Sequence, residues 1–232
     1  MNLRIKYGKT SQGKFISHLD LVRAWERAFR RAQVPIAYSQ GFNPHPKMSF
    51  GSALSVGVSS SGEYMDVVLQ KSFPIQELKR KLENYLPAGL VIYDIVEIDS
   101  RVPSLMAVIN RAKYLIKANL IEPINQTEFE NIIKNLLKQE KIPILRHTKK
   151  GLKEKDIRPG IFEIHGKITG EQEIQIELTV QTGSEGNVRP EEVLEVLKKN
   201  GIPLDLEIID IHREGLYVGG DTGLVSPLSV TI

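Results

Sequence analysis

The alternation between strand-like and helix-like spacing of apolar residues constrains the fold of this chain most strongly. In the first 98 residues, Leu3, Ile5 and Tyr7 alternate with polar residues, as in a half-buried strand. A helix is predicted from a capping Ser17 to residue 33, where Pro35 ends it. Further elements are predicted as strands at 35–39, 63–69 and 90–98 and a helix at 74–86. This order is β-α-β-β-α-β.

The second half repeats this order without obvious sequence identity to the first. It is predicted to contain strands at 112–120, 161–168, 173–180 and 206–213 and helices at 125–138 and 190–200. The sequence therefore predicts an α+β fold of two tandem ferredoxin-like domains, residues 1–103 and residues 104–232. The tail from Gly215, rich in glycine, is expected to be a surface segment that adds an edge strand to the second domain.

The absence of cysteine excludes several functional classes. With no cysteine in 232 residues, the chain has no disulfide, no cysteine nucleophile and no cysteine-ligated iron–sulfur cluster. No apolar run approaches the roughly 18 residues of a membrane-spanning helix, and the first residues lack the apolar core of a signal peptide. A cytoplasmic protein is the expectation.

Positive charge is concentrated in two segments. Residues 1–50 hold nine Lys and Arg against two Asp and Glu, and residues 141–158 hold seven against two, which gives net charges of +7 and +5. The remaining segments are neutral or acidic. Local basic surfaces of this kind indicate a polyanionic partner, although charge also segregates onto solvated faces without one.

The first basic segment combines a helix with an unusual loop, GFNPHPKMSFG at 41–51. Aromatic side chains among basic ones can stack unpaired bases while the cations hold phosphates, so the sequence predicts RNA binding. Core packing would explain any single aromatic residue, and a solvated loop would explain the second basic segment. The candidate binding residues are Arg23, Arg27, Arg30, Arg31, Phe42, Asn43, His45, Lys47, Lys149, Lys150, Lys153, Lys155 and Arg158.

His18 and His45 are the candidates for catalysis. Two imidazoles near a cationic surface could cleave RNA by general acid–base chemistry through the adjacent 2′-hydroxyl. The alternative is structural, with His18 packing at the start of the helix and His45 holding the loop. The other histidines are dispersed, and no spacing typical of metal ligands or phosphate-binding loops is present, so neither metal nor cofactor is expected.

Three segments, SHLD (17–20), SQGFNPHPK (39–47) and GEYMD (62–66), resemble a bacterial family of radical-SAM-linked, or radical-SAM-associated, proteins. The resemblance implies association with a radical SAM enzyme, while the lack of cysteine prevents this chain from performing that chemistry itself. The layout also has a distant similarity to the RAMP superfamily of CRISPR repeat-processing endoribonucleases. That likeness implies RNA binding and transfers no catalytic residue.

The preferred interpretation is an accessory protein, rather than an enzyme, that binds structured RNA and presents it to a separate radical SAM or RNA-processing enzyme. One alternative is a metal-independent endoribonuclease that uses His18 or His45. The other is a protein-interaction partner of a radical SAM enzyme with no nucleic acid involved.

Overall fold

The computed structural model describes residues 1–148, 151–220 and 223–230. Its strands are β1 (Asn2–Lys9), β2 (Met48–Phe50), β3 (Ser59–Val68), β4 (Leu90–Ile98), β5 (Arg111–Leu120), β6 (Pro143–Thr148), β7 (Gly151–Asp156), β8 (Ile161–Ile168), β9 (Glu173–Gln181), β10 (Leu204–Gly220) and β11 (Gly223–Val225). Its helices are α1 (His18–Arg31), α2 (Ile75–Glu83), α3 (Leu105–Val108), α4 (Gln126–Leu137) and α5 (Pro190–Lys199). The predicted α+β class is confirmed.

The chain divides into two compact units. Unit 1 contains Met1–Asn110 and Arg213–Ile232, and unit 2 contains Arg111–His212. The sequence analysis placed a boundary after residue 103 and grouped the tail with the second domain. In the structure residues from Arg213 onward pack with unit 1, because Arg213 and Leu216 are buried there and the Asn110 amide donates to the Gly219 carbonyl at 3.0 Å.

Unit 1 is built on antiparallel pairing of its first strands. β1 pairs with both β3 and β4, β2 pairs with one end of β3, and β10 is the next neighbour of β3. Its core contains residues of α1, α2 and the strands, including the fully buried Trp25, Phe29, Met65, Leu78 and Leu82. Burial of these apolar side chains is the main force that holds the helices on the sheet.

Local signals in the sequence define the limits of α1. The Ser17 hydroxyl accepts from the Asp20 amide at 3.2 Å and donates to the Asp20 carboxylate at 2.8 Å, which satisfies one of the free amides of the first turn. Gln33, with φ of 55°, turns the chain away after the last turn, before Pro35. Of the apolar residues spaced at three and four along α1, Trp25, Phe29 and Ala32 are buried, whereas Leu19 is 68% exposed.

Unit 2 has strand order β10-β5-β9-β8, and the pairs β5–β9 and β8–β9 are antiparallel. Phe129 of α4 and Leu197 of α5 are fully buried, as are Ile116 of β5 and Ile176 of β9. β6 and β7 form a separate antiparallel hairpin in the second basic segment. Its residues are mostly exposed, so no apolar alternation marks it in the sequence.

One predicted strand of unit 1 is irregular in the structure. The segment 35–39 makes only isolated bridges, Ile36 to Leu69 and Tyr38 to Pro46. The fixed φ of proline and its missing amide limit regular pairing here. Among the helices of the described residues, none is long and apolar enough to span a membrane.

Candidate nucleic-acid interface

The exposed face of α1 is basic. Arg23, Arg27, Arg30 and Arg31 are all exposed. The Arg23 guanidinium lies 3.6 Å from the Asp20 carboxylate, whereas the guanidinium groups of the other three arginines form no ion pair or hydrogen bond with any residue that the structure describes. A guanidinium without an acidic partner remains available to an external anion, and its fork of N–H donors suits phosphate.

A groove runs beside this basic face. Arg27 and Arg31, one helical turn apart, line it together with Ala24 and residues 84–87, and its volume is about 410 Å³. Tyr85, 44% exposed, contributes an aromatic ring to the same groove. The volume falls in the range of roughly 300–1,000 Å³ that is usual for ligand pockets. The groove therefore combines cations for a phosphate with a ring on which a base can stack.

The loop between α1 and β2 forms a small closed hairpin over residues 38–46, here called the Phe42 loop. The Ser39 amide donates to the His45 carbonyl at 2.8 Å, and the His45 amide donates to the Ser39 hydroxyl at 3.0 Å. Gly41 has φ of +126°, a conformation that residues with a side chain rarely adopt. Phe42 at the tip is fully exposed, and the neighbouring Asn43 and, after the loop, Lys47 are also exposed.

The second basic segment lies partly on the β6–β7 hairpin. Lys149 and Lys150 lie outside the described residues, and Lys153 is exposed on β7. The Lys155 ammonium donates to the Asn187 carbonyl at 2.9 Å, and partial burial, followed by the charge of Arg146, lowers its pKa. Lys155 is thus held within unit 2 rather than directed to solvent.

Arg158 also has structural partners. Its guanidinium donates two hydrogen bonds to the Leu137 carbonyl, at 2.7 and 3.0 Å, and one to the Ile161 carbonyl at 3.0 Å. Leu137 ends α4, so Arg158 satisfies a carbonyl that the helix leaves without an internal partner. This contact accounts for Arg158 without a nucleic acid.

The two candidate catalytic histidines have separate surroundings. The exposed His18 ring lies edge-on to Phe50 with 5.6 Å between centroids, while His45 is held in the Phe42 loop through its backbone. Within the described part of the chain, no hydrogen bond or ring contact joins the two imidazoles. The residues that the structure describes also contain no group of three or more His, Cys, Asp or Glu side chains that could hold a metal ion.

A buried polar cluster in unit 1 was missed by the sequence analysis. Glu63 and Arg213 form a two-point ion pair in which both side chains are almost fully buried, and Glu63 also accepts from the Ser60 hydroxyl at 2.6 Å. Arg213 donates in addition to the Ser52 carbonyl at 2.9 Å. Lys9, 2% exposed, lies close enough for Glu63 and Arg213 to act on its charge.

A second buried pair lies nearby on β1 and β3. Arg4, with no exposed surface, binds the Asp66 carboxylate at 2.7 and 2.9 Å and donates to the carbonyls of Pro103 and Pro227. The acidic partners of both pairs, Glu63 and Asp66, belong to the GEYMD segment. The available signal was two acidic residues next to the apolar residues at 64, 65, 67 and 68 of the same strand.

Burial and neighbouring charge perturb two groups of the cluster. The pKa of Tyr7 is raised well above its usual value, first by burial and then by the negative charge of Glu63. The pKa of Lys9 is lowered, mainly by burial; Glu63 opposes this effect and Arg213 adds to it. Both shifts disfavour charged forms away from water.

The comparison with protein families gives a clear result. The model of a family described as "Uncharacterized protein conserved in bacteria (DUF2344)" matches residues 2–190. The chain belongs to this family. The matched region of this family member includes α1, the Phe42 loop and β3. No curated protein sequence matches the chain.

Solved structures show only weak similarity. A Cbf5-Nop10-Gar1 complex matches with a TM-score of 0.47 and 10% identity, covering 90% of this chain and 47% of that one. An H/ACA RNP bound to a substrate RNA containing 2′-deoxyuridine matches with a TM-score of 0.48 and 10% identity, covering 91% and 46%. An archaeal box H/ACA sRNP Nop10-Cbf5 complex matches with a TM-score of 0.45 and 9% identity, covering 90% of this chain and 46% of that one. The chain thus spans about half the length of these three chains, and these scores are too low to assign a function.

Proposed function

We propose that this protein binds RNA through unit 1, with the α1 arginines on phosphates and exposed aromatic rings on unpaired bases. The observation that carries this function is the set of three exposed arginines without a described acidic partner, Arg27, Arg30 and Arg31. Exposed cations of this kind contribute little to folding, whereas each can neutralise a phosphate and release its counterions.

The aromatic residues add contacts that phosphate binding alone would not need. Tyr85 lines the groove beside Arg27 and Arg31, and the Phe42 loop holds its phenylalanine entirely in solvent. Exposing a whole phenylalanine side chain forgoes its burial, so a partner that covers it would recover that free energy. Stacked bases of single-stranded RNA supply such a partner.

The proposal also includes the fold type of the two units and the enzyme that receives the RNA. Strand orders β4-β1-β3, with β2 beside β3, and β10-β5-β9-β8 support two ferredoxin-like units. The resemblance of the SHLD, SQGFNPHPK and GEYMD segments supports presentation of the bound RNA to a separate radical SAM enzyme. Lys153 and the two lysines at 149 and 150 would add phosphate contacts from unit 2.

RNA binding is tested by the salt dependence of affinity for a single-stranded RNA retained during purification at low salt. In a variant with Arg27, Arg30 and Arg31 all changed to Ala, the slope of log K against log salt should fall by about 2, since each single-strand phosphate contact contributes about 0.7. The matched control changes the exposed Lys134, Lys198 and Lys199 of α4 and α5 to Ala. It removes the same charge and should leave the slope unchanged.

Stacking is tested separately with Phe42→Ala and Tyr85→Ala. Each should weaken binding by about 1–3 kcal/mol without changing the salt slope, because neither removes a phosphate contact. Protein that carries no RNA at low salt, or equal slopes in the arginine and lysine variants, would refute RNA binding through α1. Co-purification of a protein that persists after nuclease treatment would then favour a protein partner.

RNA cleavage is measured in the same preparation with a chelator present. If the protein is an accessory RNA-binding protein, the RNA remains intact. Cleavage that is lost in His18→Ala or His45→Ala would instead establish the endoribonuclease alternative.

A further inference from the structure

Unit 1 encloses a small polar cavity against the buried ion pair. Its volume is about 10 Å³, on the order of one water molecule. The polar side chains that line it are Tyr7, Lys9, His18, Ser52 and Glu63. The remaining lining comes from apolar side chains and from the backbone of residues 51–54, whose position is held by Arg213 through the Ser52 and Ala53 carbonyls.

The Lys9 ammonium beside this cavity has unused donors. It donates to the Ile16 carbonyl at 2.8 Å, and among the described residues this is its one hydrogen bond, although an ammonium carries three donors. Glu63 already accepts from Ser60 and at two points from Arg213. An acceptor atom that enters the cavity can therefore receive a hydrogen bond from Lys9.

The charge of the cluster has the same consequence. Lys9 and Arg213 are cationic and Glu63 is anionic, so these three buried side chains carry a net charge of +1. Asp66, on the same strand as Glu63, is bound by Arg4. An excess buried cation is costly unless an anion neutralises it. An anionic acceptor would meet both requirements.

We propose that this cavity is an oxyanion subsite, in which one oxygen of a phosphate or carboxylate group accepts hydrogen bonds from Lys9 and Tyr7. The rest of the ligand would lie outside the cavity, next to the exposed His18 at the start of α1. This subsite is distinct from the arginine face of α1 and does not depend on RNA binding.

The chain contains a single tryptophan that can report on the cavity. The buried Trp25 ring lies 5.4 Å from the Tyr7 ring, so its fluorescence should respond when the Tyr7 hydroxyl gains a partner. The folded protein is titrated with inorganic phosphate and, separately, with acetate, against sodium chloride at matched ionic strength. A saturable change with either anion and none with chloride is expected.

Variants locate the response. Lys9→Met should weaken anion binding at least about tenfold, because a hydrogen bond to a charged group contributes a factor of this size. Tyr7→Phe removes only the hydroxyl, keeps the ring packing on Trp25 and should weaken binding several-fold by the same reasoning. The control Lys6→Met lies on the same strand, with its ammonium over the Tyr93 ring, and should bind as the wild type does.

Each outcome decides the question. Saturation by phosphate alone assigns a phosphate group, and saturation by acetate as well assigns the shared oxyanion chemistry. A wild-type protein without a saturable response overturns the subsite, and so does unchanged affinity in folded Tyr7→Phe and Lys9→Met protein. RNA retention measured on the Lys9→Met variant should be normal, which separates this result from a failure of the α1 interface.

Discussion

Replacing Glu63 by Gln is expected to be far more destabilising than its isosteric nature suggests. Glu63 lies on β3. One oxygen of its carboxylate accepts a hydrogen bond from the Ser60 hydroxyl, and both oxygens accept hydrogen bonds from the Arg213 guanidinium. The amide of Gln keeps one acceptor oxygen but directs N–H donors at the guanidinium. The substitution therefore replaces an attraction by a donor–donor contact between two side chains that are almost fully buried.

The magnitude follows from burial and charge. The side chains of Glu63 and Arg213 are 4% and 2% exposed, so solvent screens their interaction little. Loss of the carboxylate raises the charge of the cluster with Lys9 from +1 to +2. Removing one partner of a buried ion pair costs about 3–5 kcal/mol in comparable cases. The exposed pair Glu77–Lys81 on α2, 37–41% exposed, supplies the control, since Glu77→Gln should cost under about 0.5 kcal/mol.

Urea unfolding at neutral pH measures both changes. The midpoint of Glu63→Gln should fall while the slope m stays constant, because the surface exposed on unfolding is nearly the same. The reasoning fails if the two variants differ by less than about 1 kcal/mol, a result that would show the carboxylate to be well solvated or its removal fully compensated.

Two further predictions concern other parts of the molecule. The Asp156 carboxylate accepts hydrogen bonds from the backbone amides of Ile142 and Arg158, and these bonds lower its pKa below the usual 3.8. The stability that this carboxylate contributes is therefore present above pH 3.8 and is lost as the pH falls through the lowered pKa. Acid unfolding curves of the wild type and of Asp156→Asn should converge below pH 3.8. Gly62→Ala places a Cβ against the Gly215 Cα of the neighbouring strand β10 and should cost about 1–3 kcal/mol. The added Cβ of Gly220→Ala meets nothing within 4 Å, so this control should cost little in a chemical denaturation series.

The parts of the fold that depend on local pattern could be predicted from the sequence. The alternation in β1, the Ser17 cap and the spacing of Trp25 and Phe29 were sufficient to identify the first strand and helix. The α+β class followed from the order of such segments. The two prolines and two glycines of residues 41–51 identified that segment as a constrained loop.

The buried cluster depends on contacts that are distant in sequence. Glu63 and Arg213 are 150 residues apart, and no periodicity relates them. Alternation assigned Arg4 to the solvated face of β1, yet the carbonyl of Pro227, 223 residues away, covers it. A charged residue on a strand shows which face it occupies, but the segment that covers that face is determined by tertiary structure.

The discontinuity of unit 1 has a consequence for folding during synthesis. Unit 2 occupies the continuous segment Arg111–His212, whereas unit 1 requires Arg213 and the residues after it. All of unit 2 therefore leaves the ribosome before Glu63 can meet its countercharge. Domains generally complete folding in the order of their synthesis, from the N-terminus. In this protein unit 1, whose synthesis begins first, should complete its folding last. In a nascent chain halted before Arg213, residues 111–212 should therefore resist protease while residues 1–110 are still cleaved.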